Sequence, residues 1–403
     1  MPRKLDLRTG RPVWMAYRAP SVPTARLVRD AKADVLVVGL GISGAMIAES
    51  LTDAGMSVIG IDRRGPSKGS TAATTALVSH EIDQPLTVLA GQIGKDAAIS
   101  AWRRSRLAVA NLPSRIDALG IACAKAERPS LLLAGNRLGP AGLRDEAEAR
   151  RAAGLACEYL TTGQLRERFG IDRKGAILSP GNLALDPRKL TAGLLNAAAA
   201  RGARFHAPTE AVRFESSRDA VTIQTVQGPT IEAKAVVLAT GYELTDIVPR
   251  DGHEVISTWA IATAPQKSKL WPQEAFIWEA SDPYLYMRAL PDGRVVCGGE
   301  DEDFTDEDRR DELIGEKSRR IAAKLGKLLP DLDTKPEFAW AGSFGTTPTG
   351  LPIIGQVPRK PRIFATLGYG GNGITWSRIA AELITTTLCG GTDADAKLFA
   401  FKG

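Results

Sequence analysis

The sequence is poor in the residues that build disulfide frameworks and metal sites. Its 403 residues include only three histidines, which are not paired. The four cysteines are far apart and form no CxxC motif: Cys123, Cys157, Cys297 and Cys389. A disulfide scaffold and a zinc site are therefore not expected, and we predict no bound metal.

Long apolar runs and segregated charge are also lacking. No stretch approaches the roughly 18 apolar residues that a membrane span needs. The opening MPRKLDLRTGRP has no apolar centre like that of a secretory signal. The net charge of +6 comes from basic residues that are interleaved with acidic ones. We therefore expect no membrane span, no nucleic-acid partner and a cytoplasmic location.

The clearest motif lies in ADVLVVGLGISGAMIAES, residues 33–50. A β-branched run predicts a strand, three glycines follow it, and the next residues are typical of a helix. In this G-x-G-x-x-G spacing, Gly39 allows a tight turn and Gly41 allows a pyrophosphate to approach the backbone. Gly44 lets the helix pack closely on the strand. The phosphates would then meet the N–H groups at the start of the helix.

Asp62 provides the context that this motif needs. It ends the second predicted strand, MSVIGID, 62 − 39 = 23 residues after Gly39. A carboxylate at that distance holds ribose hydroxyls, and it would repel a 2′-phosphate. Four neighbours are included in the predicted dinucleotide site: Ile42, Ser43, Arg63 and Arg64. The alternative is a glycine-rich turn in an unrelated α/β domain.

Strands of parallel character occur at the beginning, in the middle (AKAVVLAT) and at the end (RIFATLG) of the chain. A helical insert and an antiparallel insert separate them. This order predicts an α/β fold with a discontinuous, Rossmann-like dinucleotide-binding domain and an α+β substrate domain that contains an antiparallel sheet. We assign residues 1–92, 182–250 and 336–403 to the first domain, and residues 93–181 and 251–335 to the second.

Two segments are predicted with less regular structure. Residues 1–32 are rich in proline and arginine and are interpreted as an irregular arm before the first strand. Residues 93–170 are predicted to be helical, with breaks at Pro113, Pro129 and Pro140.

The position of the glycine motif in the chain favours FAD over NAD. It follows the first strand, and a last glycine-rich turn, GYGGNGIT, precedes a C-terminal helix, as in FAD enzymes. Nearly the whole chain resembles the FAD-dependent amine and amino-acid oxidoreductases of the D-amino acid oxidase superfamily, above all its glycine oxidase, sarcosine oxidase and gamma-glutamylputrescine oxidoreductase branches. Beside the motif with Asp62, the resemblance rests on KGSTAATTALVSHEID, AKAVVLATGYE, DPYLYMRALPDGRVVCGGED, AGSFGTTPTGLPIIG and ATLGYGGNGITWS.

The resemblance implies further contacts with FAD. The loop after Asp62 would line the pyrophosphate and the flavin, Val212 would bond adenine through its backbone, and Thr240 and Gly241 would close a turn beside the dinucleotide. The start of the last helix would direct N–H groups at flavin N1 and the C2 carbonyl. These two segments supply Gly69, Ser70, Thr71, Ala73, Thr74, Gly370, Gly371, Asn372, Gly373, Ile374 and Thr375. A polar surface loop, a plain strand and a simple helix start are the alternatives.

The resemblance also implies the reaction and its substrate side. A hydride passes from the carbon next to an amine to flavin N5, the imine is hydrolysed, and O2 or another acceptor takes the electrons. Tyr284, Tyr286 and Arg288 alternate along a predicted strand and therefore share a face. Arg288 is a candidate for holding a substrate anion, the tyrosines for donating hydrogen bonds, and His80 for polarising the substrate. A surface arginine and a structural histidine are the alternatives.

Three positions depart from the resembled branches. Phe344 stands where glycine oxidase-like members carry an arginine for the substrate carboxylate, which argues against a standard α-amino acid. No cysteine lies between Trp340 and Gly355 to link the flavin, so FAD is expected to be bound without a covalent bond. Val295 and Val296 replace a lysine that activates oxygen in sarcosine oxidase-like members, so an oxidase and a dehydrogenase are both open.

Two other functions remain open at this point. A dehydrogenase of a hydroxy acid or polyol on the same fold would require basic residues around the pocket. A non-catalytic flavoprotein subunit would need neither a substrate-binding nor an oxygen-activating residue. Trp259, Trp278 and Trp376 are candidates for an aromatic wall against an amine cation, with a place in the core as the alternative.

Overall fold

The structure is a computed structural model that describes residues 8–402. In this range the strands are β1 (Arg8–Gly10), β2 (Ala31–Val38), β3 (Val58–Ile61), β4 (Leu77–Val78), β5 (Ala126–Leu133), β6 (Glu158–Leu160), β7 (Ala176–Ala184), β8 (Arg204–His206), β9 (Ala211–Ser216), β10 (Val221–Thr225), β11 (Thr230–Leu238), β12 (Glu254–Thr263), β13 (Phe276–Glu279), β14 (Leu285–Ala289), β15 (Val295–Glu302), β16 (Pro336–Thr346), β17 (Ile353–Gln356) and β18 (Ile363–Leu367). The helices are α1 (Ile42–Asp53), α2 (Leu86–Ile93), α3 (Lys95–Ala118), α4 (Pro140–Ala152), α5 (Thr162–Phe169), α6 (Pro187–Ala200), α7 (Glu307–Glu312), α8 (Ile314–Leu328), α9 (Gly373–Leu388) and α10 (Ala396–Phe399). None of these helices is both long enough and apolar enough to cross a membrane.

An eight-stranded sheet carries the glycine motif. Its main path runs β17-β18-β11-β2-β3-β8, and the hairpin of β9 and β10 extends from β11. The neighbours from β18 to β8 pair in parallel. Helix α1 packs against both α6 and α9 beside the sheet. Because these parallel strands come from the beginning, the middle and the end of the chain, the predicted discontinuous Rossmann-like arrangement is confirmed.

The second sheet has ten strands. The order is β1-β16-β12-β15-β14-β13-β5-β7-β4, with β6 paired to β7. Its pairs are antiparallel except for β13 with β5. The amphipathic helix α8 buries Ile321, Leu325 and Leu328 against this sheet. The predicted α+β unit with an antiparallel sheet is therefore present.

The boundaries between the two sheets differ from the predicted domain boundaries. β1, β4 and β16 lie in ranges assigned to the dinucleotide-binding domain, yet they belong to the ten-stranded sheet. β16 pairs with β12 from Pro336 to Thr346. A cut at residue 336 would therefore divide a continuous antiparallel ladder, and we propose that the boundary follows Thr346 instead.

Two local predictions are wrong. Pro113 lies inside α3 rather than at a break, and the buried side chains of Leu112 and Ile116 hold that part of the helix in the core. Residues 93–170 also contain β5, which includes Pro129. A proline removes one N–H donor, but tertiary packing offsets that loss here.

The described part of the N-terminal arm is more ordered than predicted. β1 adds a strand to the edge of the ten-stranded sheet by pairing with β16. Val13 and Trp14, which follow it, are buried in the core. Arg188, in the first turn of α6, donates from Nη1 to the carbonyl oxygen of Trp14 across 2.8 Å. The segment from Arg8 to Trp14 is therefore part of the fold, whereas most of residues 15–30 are exposed and irregular, as predicted for the arm.

Candidate active site

A cavity lies where the carboxyl ends of the parallel strands meet the ten-stranded sheet. Its glycine end is lined by Gly39, Gly41 and Asp62, which follow β2 and β3. Its tyrosine end is lined by Tyr242, which follows β11, and by Tyr284, Tyr286 and nearby residues of the ten-stranded sheet. Open α/β sheets bind ligands at the carboxyl ends of their strands.

The glycine turn has no room for side chains at two of its three glycines. Gly39 has a φ of +108°, and a Cβ there would collide with the carbonyl oxygen of Ala239. A Cβ on Gly44 would collide with the carbonyl oxygen of Gly39, so α1 starts directly against the turn. Gly41 lines the cavity and is the residue before α1. The turn therefore presents bare backbone and a helix N-terminus to the cavity.

The Asp62 carboxylate is fixed beside this turn. Its Oδ2 accepts a hydrogen bond from the backbone N–H of Leu40 across 2.9 Å. Its Oδ1 accepts from the N–H groups of Arg64 and Gly65 across 2.7 Å each. These bonds orient the carboxylate at the end of β3, where ribose hydroxyls would approach it.

Arg63 and Arg64 line the cavity, but acidic residues compensate their charges. Both guanidinium groups contact the carboxylate of Glu243, Arg64 from Nη1 across 2.6 Å. Arg63 also lies 3.6 Å from the carboxylate of Glu210. The pair therefore does not form a free basic cluster for a 2′-phosphate.

The loop predicted to line the pyrophosphate is anchored by three side chains. Thr71 accepts a hydrogen bond at Oγ1 from the backbone N–H of Ile42, across 3.0 Å. Trp340 donates from Nε1 to the carbonyl oxygen of Ala73 across 2.8 Å, and Trp14 donates to that of Thr74. The loop residues that line the cavity are Gly69, Ser70, Thr71, Ala73, Thr74 and Thr75. The loop is thereby held against the glycine turn.

The turn that starts α9 is tied to the segment after β4. Gly371 donates its backbone N–H to Oδ2 of Asp83 across 2.8 Å. Asn372 donates from Nδ2 to the carbonyl oxygen of Glu81 across 2.7 Å. The residues of this turn that line the cavity are Gly370, Gly371, Asn372, Gly373 and Ile374. Thr375 is outside the lining and bonds the carbonyl oxygen of Ser79 instead.

The tyrosine end combines hydroxyl groups with aromatic walls. The rings of Tyr284 and Tyr286 stack with their centroids 5.4 Å apart. Burial, reinforced by the nearby Asp301 carboxylate, raises the pKa of both phenols above the ordinary value. Their hydroxyls therefore stay protonated and can donate hydrogen bonds at neutral pH. Phe276, Trp278 and Phe344 complete the aromatic lining.

Arg288 does not reach the cavity. It shares a face of β14 with Tyr286, but its guanidinium donates to the carbonyl oxygens of Ala76 and Leu185 and lies over the Trp14 ring. The side chain is 1% exposed, so neither substrate contact nor the surface alternative describes it. Burial lowers the pKa of Arg288, and the carbonyl dipoles support its charge. We correct its predicted role to a structural one.

Two other predicted contacts also lie outside the cavity lining. His80 is 3% exposed, and burial lowers its pKa to about 4, so the ring is neutral and inside the protein. Its predicted role in polarising substrate has no geometric support. Val212 is exposed at a register irregularity of β9, while its neighbours Glu210 and Ala211 line the cavity. Gly44, the remaining exception, lies behind the lining and supports helix packing.

The sequence interpretation missed several lining residues. They come from loops and from the second sheet: Glu81, Asp83, Ser130, Thr209, Tyr242, Glu243 and Thr258. Glu81 and Asp83 belong to the SHEID run, whose resemblance could have drawn attention to them. Of the three candidate wall tryptophans, Trp278 lines the cavity, whereas Trp259 and Trp376 are fully buried in the core.

The glycine end fits an FAD chemically. Thr209 and Thr245 line the cavity, and the hydroxyl oxygens of both are buried without a hydrogen-bond partner among the described residues. Bare backbone, an oriented carboxylate and free hydroxyls match pyrophosphate, ribose and adenine. None of the four cysteines is among the described lining residues. The fold and the cavity thus define a dinucleotide-binding protein.

The chain belongs to the DAO family of FAD-dependent oxidoreductases, whose family model matches residues 34–387. It is 25% identical over 375 residues to gamma-glutamylputrescine oxidoreductase of Escherichia coli (strain K12), covering 89% of this chain and 84% of that protein. It is 25% identical over 371 residues to glycine oxidase of Geobacillus kaustophilus (strain HTA426), covering 87% and 91%. The crystal structure of a glycine oxidase from Geobacillus kaustophilus shares the fold, with a TM-score of 0.74, 21% identity and coverage of 92% and 99%. The predicted FAD dependence and oxidoreductase class are confirmed.

Proposed function

We propose that this protein oxidises the C–N bond of an amine or amino-acid derivative with FAD as the electron acceptor. The observation that carries the proposal is a cavity that extends from the glycine turn to the tyrosine end. The glycine end has the groups that bind a dinucleotide, and the tyrosine end has hydroxyls and aromatic walls for a small organic substrate. Residues Gly370 to Ile374, at the start of α9, also line this cavity.

Within this proposal the cofactor residues have separate tasks. Asp62 holds the ribose hydroxyls, while the backbone from Gly39 to Gly44 and the loop from Gly69 to Thr74 take the pyrophosphate. The N–H groups of Gly373 and Ile374, at the start of α9, would stabilise negative charge on the flavin ring, whereas those of Gly371 and Asn372 already bond Asp83 and the carbonyl oxygen of Tyr369. FAD is held without a covalent bond.

Bound FAD supplies an acceptor for a hydride at flavin N5. The carbon–hydrogen bond next to the neutral amine breaks, and the hydrogen leaves with both electrons. The nitrogen lone pair forms the C=N bond, and water hydrolyses the resulting iminium to a carbonyl compound and an amine or ammonia. Tyr284 and Tyr286 shape the substrate end, where the Tyr284 hydroxyl is hydrogen-bonded to Asp301, and the aromatic walls exclude water until the hydride has moved.

A polyol or hydroxy-acid dehydrogenase has less support. It would require basic side chains around the substrate. Among the described lining residues, the cationic side chains are those of Arg63 and Arg64, which contact Glu243 at the glycine end. A non-catalytic flavoprotein is an outcome that the experiment below would detect.

The test is the visible spectrum of the purified protein, followed by anaerobic titration with amines, D- and L-amino acids and polyols. Flavin bands that bleach with an amine or amino acid are expected. A colourless protein that FAD does not reconstitute would overturn the proposal, as would bleaching by polyols alone or by no compound. Admitting air to the bleached protein then separates an oxidase, which recovers colour at once, from a dehydrogenase, which requires another acceptor.

A further inference from the structure

Acidic residues line the tyrosine end of the cavity, and no basic residue of the described lining lies there. Glu81 and Asp83 line it, and Asp301, outside the lining, is hydrogen-bonded to Tyr284. Among the described lining residues the two cationic side chains, Arg63 and Arg64, belong to the glycine end. The two ends of the cavity therefore differ in charge, and the tyrosine end attracts cations.

The charge of Glu81 is already compensated within the protein. Its carboxylate accepts hydrogen bonds from Arg150 and Ser130, and Arg150 also donates from Nε to Oε1 of Glu146 across 2.7 Å. All three charged residues are at most 2% exposed. This buried cluster supports the cavity wall and leaves Glu81 no spare charge for a ligand.

Asp83 is different, because its partner is neutral. Its Oδ2 accepts the N–H of Gly371, and the described chain gives it no ion pair. The side chain is open to the cavity but is surrounded by protein atoms on all other sides. Asp301 lies near Asp83 as well, but its carboxylate is hydrogen-bonded by Thr258 and Tyr284. Burial raises the pKa of Asp83 to about 6, so the carboxylate is charged at neutral pH but lacks a counter-ion.

The aromatic walls around Asp83 suit the same kind of ligand. Tyr242 and Tyr284 are close enough for the Asp83 charge to raise their pKa values in addition to burial. Trp278 and Phe344 line the cavity as well. Aromatic faces attract ammonium groups and offer nothing to a carboxylate. Two independent features, an uncompensated carboxylate and aromatic walls, thus favour a cation.

We propose that the substrate is a diamine: an alkyl amine with a second ammonium group, held by Asp83, and with no carboxylate. This rests on the proposed function and adds the substrate class. The bound ammonium must be distal from the reacting nitrogen, because hydride leaves only from a carbon whose amine is neutral. A carboxylate in contact with the reacting nitrogen would instead keep it protonated.

The test compares three compounds of equal chain length on the holoprotein. Butane-1,4-diamine, butan-1-amine and 4-aminobutanoate are titrated calorimetrically into photoreduced protein, which binds without turnover, and anaerobically into oxidised protein. The diamine should bind at least about tenfold more tightly than the monoamine, and 4-aminobutanoate should be weakest. N-acetylbutane-1,4-diamine, which keeps the length but loses the distal charge, should resemble the monoamine.

Asp83→Asn should reduce the ratio of diamine to monoamine affinity to near one. Asp219→Asn, which removes an exposed carboxylate from a surface turn, is the matched control and should keep the ratio. Equal affinities of the wild-type protein for diamine and monoamine, or a ratio that survives Asp83→Asn, would overturn the diamine assignment. The affinities of the wild-type protein for diamine and monoamine test the assignment by themselves, so the experiment remains decisive even if Asp83→Asn does not fold. Failure of every amine and amino acid to bleach the flavin would instead remove the proposed function.

Discussion

Thr375 donates a hydrogen bond from Oγ1 to the carbonyl oxygen of Ser79 across 2.7 Å. The two residues are separated by 296 positions, and Thr375 is 1% exposed. Together with the bonds from Gly371 and Asn372, this contact fixes the segment that carries Asp83 against the first turn of α9. The two sides of the tyrosine end are therefore positioned by one another.

Thr375→Val should lower the free energy of unfolding by about 1–3 kcal/mol, because the buried Ser79 carbonyl loses its donor while the shape is nearly unchanged. Thr387→Val is the control on the same helix, where the hydroxyl donates to Leu383 within the helix and the side chain is exposed. Urea unfolding of both variants measures the difference. Equal stabilities would mean that the bond contributes nothing to holding the segment.

Gly44→Ala should remove FAD binding and lower stability by about 1–3 kcal/mol, because its Cβ meets the Gly39 carbonyl and displaces the turn. Gly91→Ala in α2 is the control, since its Cβ meets no atom within 4 Å and alanine favours a helix. The ratio of flavin to protein absorbance after purification gives the readout. A Gly44→Ala protein with full flavin content would contradict the close packing of α1 on the turn.

Arg288→Met should destabilise the fold by about 3 kcal/mol, because two buried carbonyls lose a charged donor. The substitution should leave the ratios of the affinities for different amines unchanged, because the Arg288 side chain does not line the cavity. Arg218→Met, at an exposed position, should leave both properties unchanged. Selective loss of affinity for carboxylate-bearing compounds would return Arg288 to the substrate site.

Diamine affinity should increase as the pH rises through about 6. Burial raises the pKa of Asp83 to about 6, so this group is neutral below that pH and negative above it. The alkyl ammonium groups of the ligand stay charged throughout, with pKa values near 10. Of the groups that face Asp83, Tyr242 and Tyr284 have raised pKa values and stay neutral, while burial and Asp83 raise the pKa of Asp301 to about 6 as well.

The measurement is the dissociation constant of butane-1,4-diamine with photoreduced protein from about pH 5 to pH 8. In Asp83→Asn the increase should shrink and move to lower pH, because Asp301 remains and no longer has a charged neighbour. An identical profile in the variant and the wild type would assign the dependence to another group.

The glycine end could be predicted because its information is local. A strand, three glycines, a helix and an acid at the end of the next strand all lie within residues 33–64. The turn that they form is required by backbone sterics, as the collisions at Gly39 and Gly44 show. Such a site can be predicted from one contiguous segment of sequence.

The residues of the tyrosine end were harder to predict from the sequence, because their positions depend on the order of strands in the ten-stranded sheet. Alternation predicted that Tyr284, Tyr286 and Arg288 share a face of one strand. Tyr284 precedes β14, which holds Tyr286 and Arg288, and one face of this strand borders both the cavity and the core. Tyr286 lies beside the cavity, whereas Arg288, two residues further, lies under Trp14. Periodicity cannot distinguish the position of Tyr286 from that of Arg288. The two positions differ only in which residues of the N-terminal arm and of the loop after β4 pack on them.

The hydrogen bond between Ser43 and Ser377 joins residues that are 334 positions apart, across 2.7 Å. It lies where α1 and α9 pack together. During synthesis, the glycine turn therefore leaves the ribosome long before the segment that completes its surroundings. A fragment that stops before β18 lacks both a central neighbour of β11 and the whole of α9. Prematurely terminated or C-terminally clipped molecules should accordingly be colourless, so that bound flavin itself reports an intact chain end.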